Sequence, residues 1–177
     1  MMQEQERIEA AKKDPKNFRY FYDLWYKPIY IFIYRRTEDE DVSADITQQV
    51  FLKAMQNIAK YEYRGFPISS WLYRIALNEL MQYFRDQNKI RVVCVEKTGL
   101  AEILEDDVAG YEVENRELIF KTLQKLKPQE LELIEMRYFE KRTFKEIAEI
   151  INISENTAKV KVHRILERLR NLITVQA

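Results

Sequence analysis

Asn156, Lys159, Lys161, His163 and Arg164 fall within nine residues of one another. Ammonium and guanidinium groups neutralise phosphates, and amide or cationic donors read base edges in the major groove. The same residues also serve to keep a helix face soluble. A second set, Tyr61, Tyr63, Arg64, Phe66, Trp71, Tyr73 and Arg74, interleaves aromatics with arginine. That mixture suits the unstacked bases and phosphates of a single strand. Trp71 and half of the tyrosines are equally readable as core. A third set, Asp39, Glu40, Asp41 and Asp45, places four carboxylates where metal or acid–base chemistry could be built. No His or glycine-rich loop accompanies them, and helix capping accounts for the first three. With one His and only Cys94, no internal disulfide or cysteine-rich zinc site can form, which fits a reducing cytoplasm. No catalytic constellation assembles, so the chain reads as a non-enzyme without a cofactor or metal.

The cationic set must be held by the stretch from Thr143 to Arg170. Thr143 with Glu146 three residues on forms a capping box, which predicts a helix start. Ile147, Ala148 and Ile151 supply its apolar stripe. Asn152 tolerates left-handed dihedrals and is expected to end that helix. Ser154 then caps a second helix, with Ile153 and Ala158 at staple spacing. Ala158, Val162, Ile165 and Leu169 repeat at spacings of four, three and four, one helical face. The cations occupy the other face. A buried stripe behind a cationic face on the second of two short helices is the layout of a helix-turn-helix.

Other elements follow in chain order. Asp14-Pro15 predicts a helix start, and Phe18, Phe21, Tyr22, Trp25, Ile29 and Phe32 form an aromatic core face. Pro28 is expected to kink or break that helix. A turn at Thr37 to Asp41 precedes a helix from Val42 to about Ala59, apolar at Ile46, Val50, Phe51, Ala54, Met55 and Ile58. Gly65 and Pro67 mark a loop, after which Ser69 or Ser70 caps a helix from Trp71 to about Asn88. Its apolar face is Leu72, Ile75, Ala76, Leu80 and Phe84 or Tyr83. A short helix at Ala101 to Leu104 is expected within an irregular stretch, and Leu118, Ile119, Leu123 and Leu126 resume the helical period. Lys127-Pro128 starts a further helix with Leu131, Leu133, Ile134, Met136 and Phe139.

The 177 residues include only three Gly and four Pro, which points to an all-helical protein. No apolar run reaches the length of a membrane span, and the polar N-terminus does not resemble a signal peptide. Net charge is zero, yet it is unevenly spread. Residues 92 to 115 carry one cation and seven anions, whereas residues 116 to 177 carry 13 cations and nine anions, and residues 16 to 91 carry 12 and nine. Two basic blocks flank an acidic connector, so the mean hides an asymmetry compatible with nucleic-acid binding.

Three tracts in this order resemble one family: DITQQVFLKA (Asp45 to Ala54), FPISSWLYRIALNELMQYFR (Phe66 to Arg85), and Leu126 to Arg170 with the helix-turn-helix. Nearly the whole chain resembles the extracytoplasmic-function sigma factors of bacterial RNA polymerase. The resemblance implies an all-α fold of two small helical domains joined by an acidic linker, the second a four-helix domain with the helix-turn-helix. It implies sigma region 2 over residues 1–91, a linker over 92–115 and sigma region 4 over 116–177. It further implies that Asp45, Gln48, Gln49 and Phe51 dock on the polymerase clamp helices. Arg64, Phe66, Ser69, Trp71, Arg74, Asn78 and Arg85 then contact the −10 element. Asn156, Lys159, Val160 and His163 face bases of the −35 element, while Lys161, Arg164, Arg142 and Lys145 hold phosphates. The implied partners are core RNA polymerase (clamp helices and flap), promoter DNA and an anti-sigma factor, in the cytoplasm and without membrane insertion. The chain departs from the family pattern at Gln82, often Asp, at Asn152, often Gly, and at Ala158, usually β-branched. Three rivals stand beside this reading. A stand-alone regulator leaves the aromatic loop without a task, a protein-binding adaptor leaves the cations of the last helix unexplained, and an enzyme has no assembled site.

Overall fold

The computed structural model describes residues 2–87 and 121–176. The acidic segment 92–115, the expected helix at Ala101 to Leu104, and Leu118 and Ile119 lie outside the described residues. Helices and short connections make up the described residues, with no strand among them. The chain divides into two compact units, Met1–Val92 and Val93–Ala177.

In the first unit, α1 spans Met2–Lys13, α2 Arg19–Thr37, α3 Glu40–Asn57 and α4 Ile68–Asp86. The Asp14 carboxylate accepts from the Lys16 amide at 3.0 Å and starts a 3-10 turn at Pro15–Phe18. That satisfies a donor left open at a helix start. Phe18, Phe21, Ile29, Phe32 and Ile33 are buried, each side chain contributing roughly 1.5–3 kcal/mol. Tyr22, expected among them, is exposed. Pro28 does not break α2, which runs through it. The carbonyl four residues before, on exposed Leu24, loses an amide partner where water can replace it.

Glu38 takes a left-handed conformation at φ 52° and stops α2. Asp39 then caps α3 by accepting from the Val42 amide at 3.0 Å, so the acidic cluster acts at a helix terminus. Ile46, Val50, Phe51, Ala54 and Ile58 are buried as the spacing predicts, whereas Met55 is exposed. Neither Ser69 nor Ser70 caps α4, which starts earlier, at Ile68, after a Pro67 cap residue with no side-chain acceptor. Leu72, Tyr73, Ala76, Leu77 and Leu80 of α4 pack on α2 and α3. Tyr73 meets Phe32 edge-on at 5.0 Å and is core.

In the second unit, α5 spans Pro128–Ile134, a π-helical turn Glu135–Phe139, α6 Phe144–Ile151 and α7 Glu155–Gln176. Residues 121–123 are helical before α5. Leu131 and Ile134 of α5 join Ile147, Ala148 and Ile150 of α6 against α7, and Met136 and Tyr138 of the π-helical turn are buried beside α6. Ile150 is buried and Ile151 half-buried, so the stripe of α6 is rotated slightly from its expected line. The Arg168 guanidinium donates to both oxygens of Glu130, at 2.9 and 2.6 Å, and fastens α7 to the start of α5.

Candidate nucleic-acid interface

The turn between α6 and α7 is built by local hydrogen bonds. Glu146 Oε2 accepts from the Thr143 amide at 2.8 Å, and Thr143 Oγ1 accepts from the Glu146 amide at 3.2 Å, the reciprocal box anticipated from the spacing. Asn152 sits at φ 57°, ψ 51° and its amide returns to the Ala148 carbonyl. Ser154 Oγ accepts from the Thr157 amide at 3.1 Å and starts α7. Ala158, Val162, Ile165, Leu166 and Leu169 are buried along one side of α7.

The opposite side is open. Asn156, Lys159, Val160, Lys161, His163 and Arg164 are all exposed, and Val160, at 40% exposure, offers an apolar contact among donors. Lys159 pairs with Glu155 at 2.9 Å, and His163 Nδ1 lies 3.7 Å from Glu167. Such exposed pairs exchange readily with solvent and phosphates. A groove of about 650 Å³ runs beside this side of α7, floored by Phe144, Val162 and Leu166 and rimmed by Arg137, His163 and Arg164. Arg137 lies over the Phe144 ring at 4.7 Å and donates to the Arg142 carbonyl at 3.1 Å. Lys145 is exposed in the first turn of α6. Arg142 differs from the other phosphate candidates: it is half-buried and its Nε is bound to Glu140 at 2.7 Å. A phosphate would have to compete with that carboxylate.

In the first unit, Trp71, Arg74, Asn78 and Arg85 fall on one face of α4 at spacings of three, four and seven. Trp71 is half-buried and tilted against Tyr61 at 4.7 Å, so one face of the indole packs on the loop that precedes the helix. Arg64 is exposed on that loop, 3.5 Å from Glu62. Gly65 has φ 80°, a value that suits glycine, and brings Phe66 half-buried to the start of α4 beside Ser69. Arg85 donates to Gln82, and the Gln82 amide donates to Asp86 at 2.7 and 2.8 Å. Gln82 is therefore bridged between a guanidinium and a carboxylate on its own helix.

On α3, Asp45, Gln48 and Gln49 are exposed, but Phe51 is not. Its ring lies 5.0 Å from Tyr22 and 5.9 Å from Tyr26. It packs the core and does not share the outer face. The outer face instead includes Leu52 and Met55, both more than 40% exposed. Their spacing of four and seven from Gln48 was the available signal. Met55 reads as core by its apolar type, and Leu52 stands outside the apolar stripe predicted for this helix.

Among the described residues, no group of three or more His, Cys, Asp or Glu is placed to hold a metal ion. None of their helices is long and apolar enough to cross a membrane.

Comparison with known proteins agrees with this geometry. The model of sigma-70 region 2 matches residues 21–90, and that of sigma-70 region 4 matches residues 122–171. Together they span more than half of the chain. The ECF RNA polymerase sigma factor SigW of Bacillus subtilis is 29% identical over 177 residues, covering 93% of each chain. The RNA polymerase sigma factor YlaC of the same organism is 29% identical over 157 residues, 86% of this chain and 90% of YlaC. BldN of Streptomyces coelicolor is 26% identical over 177 residues, 98% of this chain but 66% of BldN. Two solved structures share the fold. CnrH, in complex with the cytosolic domain of CnrY, has a TM-score of 0.60 at 16% identity, covering 98% of this chain and 99% of CnrH. RpoE of Bartonella quintana, in complex with the anti-sigma factor NepR, has a TM-score of 0.55 at 21% identity, covering 92% and 99%. With regions 2 and 4 in one chain and in that order, this chain belongs to the sigma-70 family, in its extracytoplasmic-function group of RNA polymerase sigma factors.

Proposed function

We propose that this chain directs core RNA polymerase to specific promoters and starts transcription there, catalysing no reaction itself. The observation that carries the reading is the pairing of a cation-faced helix-turn-helix with a region 2 unit whose aromatic loop leads into α4. A stand-alone regulator has no use for the second of these. Residues 1–91 serve as region 2, residues 92–115 as an acidic connector and residues 116–177 as region 4. Region 2 docks on the clamp helices through Asp45, Gln48 and Gln49, with Leu52 and Met55 beside them. Arg64, Phe66, Ser69, Trp71, Arg74, Asn78 and Arg85 take the −10 element, where bases are captured as the strands separate. Region 4 lays α7 in the major groove of the −35 element. Asn156, Lys159, Val160 and His163 face the bases, while Lys145, Lys161 and Arg164 hold phosphates. Core polymerase, with its clamp helices and flap, and promoter DNA are the working partners, in the cytoplasm. An anti-sigma factor, of the kind solved with RpoE, is the expected inhibitor.

The test is a pulldown with purified core polymerase, followed by run-off transcription from a genomic fragment library. Discrete transcripts that depend on this chain, and weaken with Lys159→Ala, are the expected result. Absence of core binding and unchanged start sites would overturn the proposal.

A further inference from the structure

α1 precedes the segment matched to region 2, which begins at residue 21. It is nonetheless tightly built into the unit. Ile8 and Ala11 are fully buried, and α1 packs on the 3-10 turn Ile58–Lys60 that leads into the aromatic loop. Its C-terminal end is held by the Asn17 amide on the Ala10 carbonyl at 3.1 Å, and Arg7 covers the Tyr20 ring at 3.9 Å. At its other end the half-buried Glu4 carboxylate accepts from the Ile68 backbone amide at 3.3 Å, across 64 residues of sequence.

Ile68 is the first residue of α4, and a helix start leaves its first amides without partners. The usual remedy is a side-chain oxygen on the cap residue. Here the cap residue is Pro67, which has none. The amide of Ser70 closes on the Pro67 carbonyl at 3.0 Å, and Glu4 supplies the acceptor for Ile68. A carboxylate at that end also opposes the positive pole of the α4 dipole. The contact fixes where α4 begins. It thereby fixes Phe66 and Ser69 on either side of Ile68, and Trp71 with its Tyr61 partner one turn on.

We infer that Glu4 is a positioning residue for promoter opening: from α1 it caps α4 and holds the −10-binding loop in register. This rests on the function proposed above. Electrostatics alone demands the opposite sign, since removing an anion near DNA strengthens binding to phosphates. The test uses the full chain with core polymerase on a promoter fragment from the run-off experiment, carrying 2-aminopurine in the −10 region. Opening is expected to fall about fivefold in Glu4→Ala, the scale of a lost cap. It falls further in Glu4→Arg, which sets a cation against the dipole, and returns in Glu4→Gln, which keeps an acceptor oxygen. Core binding, measured in parallel, stays unchanged in all three and shows that each is folded. Opening by Glu4→Ala or Glu4→Arg equal to or stronger than the parent's overturns the inference. A parent chain that binds no core and opens no promoter overturns the functional reading itself, and this inference with it.

Discussion

Asn152 shows how much one residue carries. Its left-handed backbone ends α6 and sets the approach of α7. Glycine takes that conformation without a Cβ penalty, so Asn152→Gly is expected to leave the thermal midpoint level or raised. Asn152→Val should lose about 1–2 kcal/mol, measured by thermal unfolding. Lys159 behaves differently, because it is exposed and, among the described residues, pairs with Glu155 on its own helix. Lys159→Ala should leave stability within about 0.5 kcal/mol. It should cut promoter-dependent transcription by the equivalent of ~1–3 kcal/mol, read from run-off yield against chain concentration. Phe51 gives the reverse pattern. Its buried ring predicts a loss of ~3–5 kcal/mol in a urea melt of Phe51→Ala, whereas Gln48→Ala should weaken core binding at unchanged stability.

At the scale of elements, the Glu130–Arg168 pair fastens the start of α5 to α7. The hydrogen bond from Arg168 holds the Glu130 carboxyl below the ordinary glutamate range; burial opposes it, and the Lys127 backbone amide adds a smaller lowering. A depressed acid contributes stability that is present above its unfolded pKa and lost as pH falls through its folded pKa. Glu130→Gln keeps an acceptor and removes only the charge. Its stability deficit should therefore be present at neutral pH and close as pH falls through the depressed folded pKa of Glu130, as followed by urea melts across an acid titration. The helices themselves were largely legible in local sequence. Thr143 with Glu146, Asp39 before α3, and Pro128 at the head of α5 all mark starts, because caps act over three or four residues. The start of α4 was misread for the complementary reason. Its acceptor comes from Glu4 and not from a nearby serine.

For the whole molecule, zero net charge divided between basic blocks and an acidic connector means little long-range attraction to DNA. The free chain is expected to bind promoter duplex only in the non-specific range, ~10⁻⁴–10⁻⁶ M at physiological salt. Core polymerase, by holding both units on one template, should raise apparent affinity by ~10²–10⁴ through effective concentration. Fluorescence anisotropy of labelled promoter DNA, with and without core, measures both numbers. Tight, sequence-specific binding by the free chain would favour a stand-alone regulator.

The sequence alone determined the helix-turn-helix and the polar face of α7. Caps, a left-handed turn residue and a 3.6-residue period are all local, and an exposed face needs no partner to define it. It also marked the aromatic cluster around Trp71, but not how that cluster divides. Only tertiary packing made Tyr73 core against α2, left Trp71 half-covered by Tyr61 of the preceding loop and turned Phe51 inward against α2 while Leu52 and Met55 face out. Packing likewise carried α2 through Pro28 and brought Glu4 to Ile68. Burial is a property of what lies opposite a residue, and what lies opposite is set by chain many positions away, beyond the reach of any local pattern.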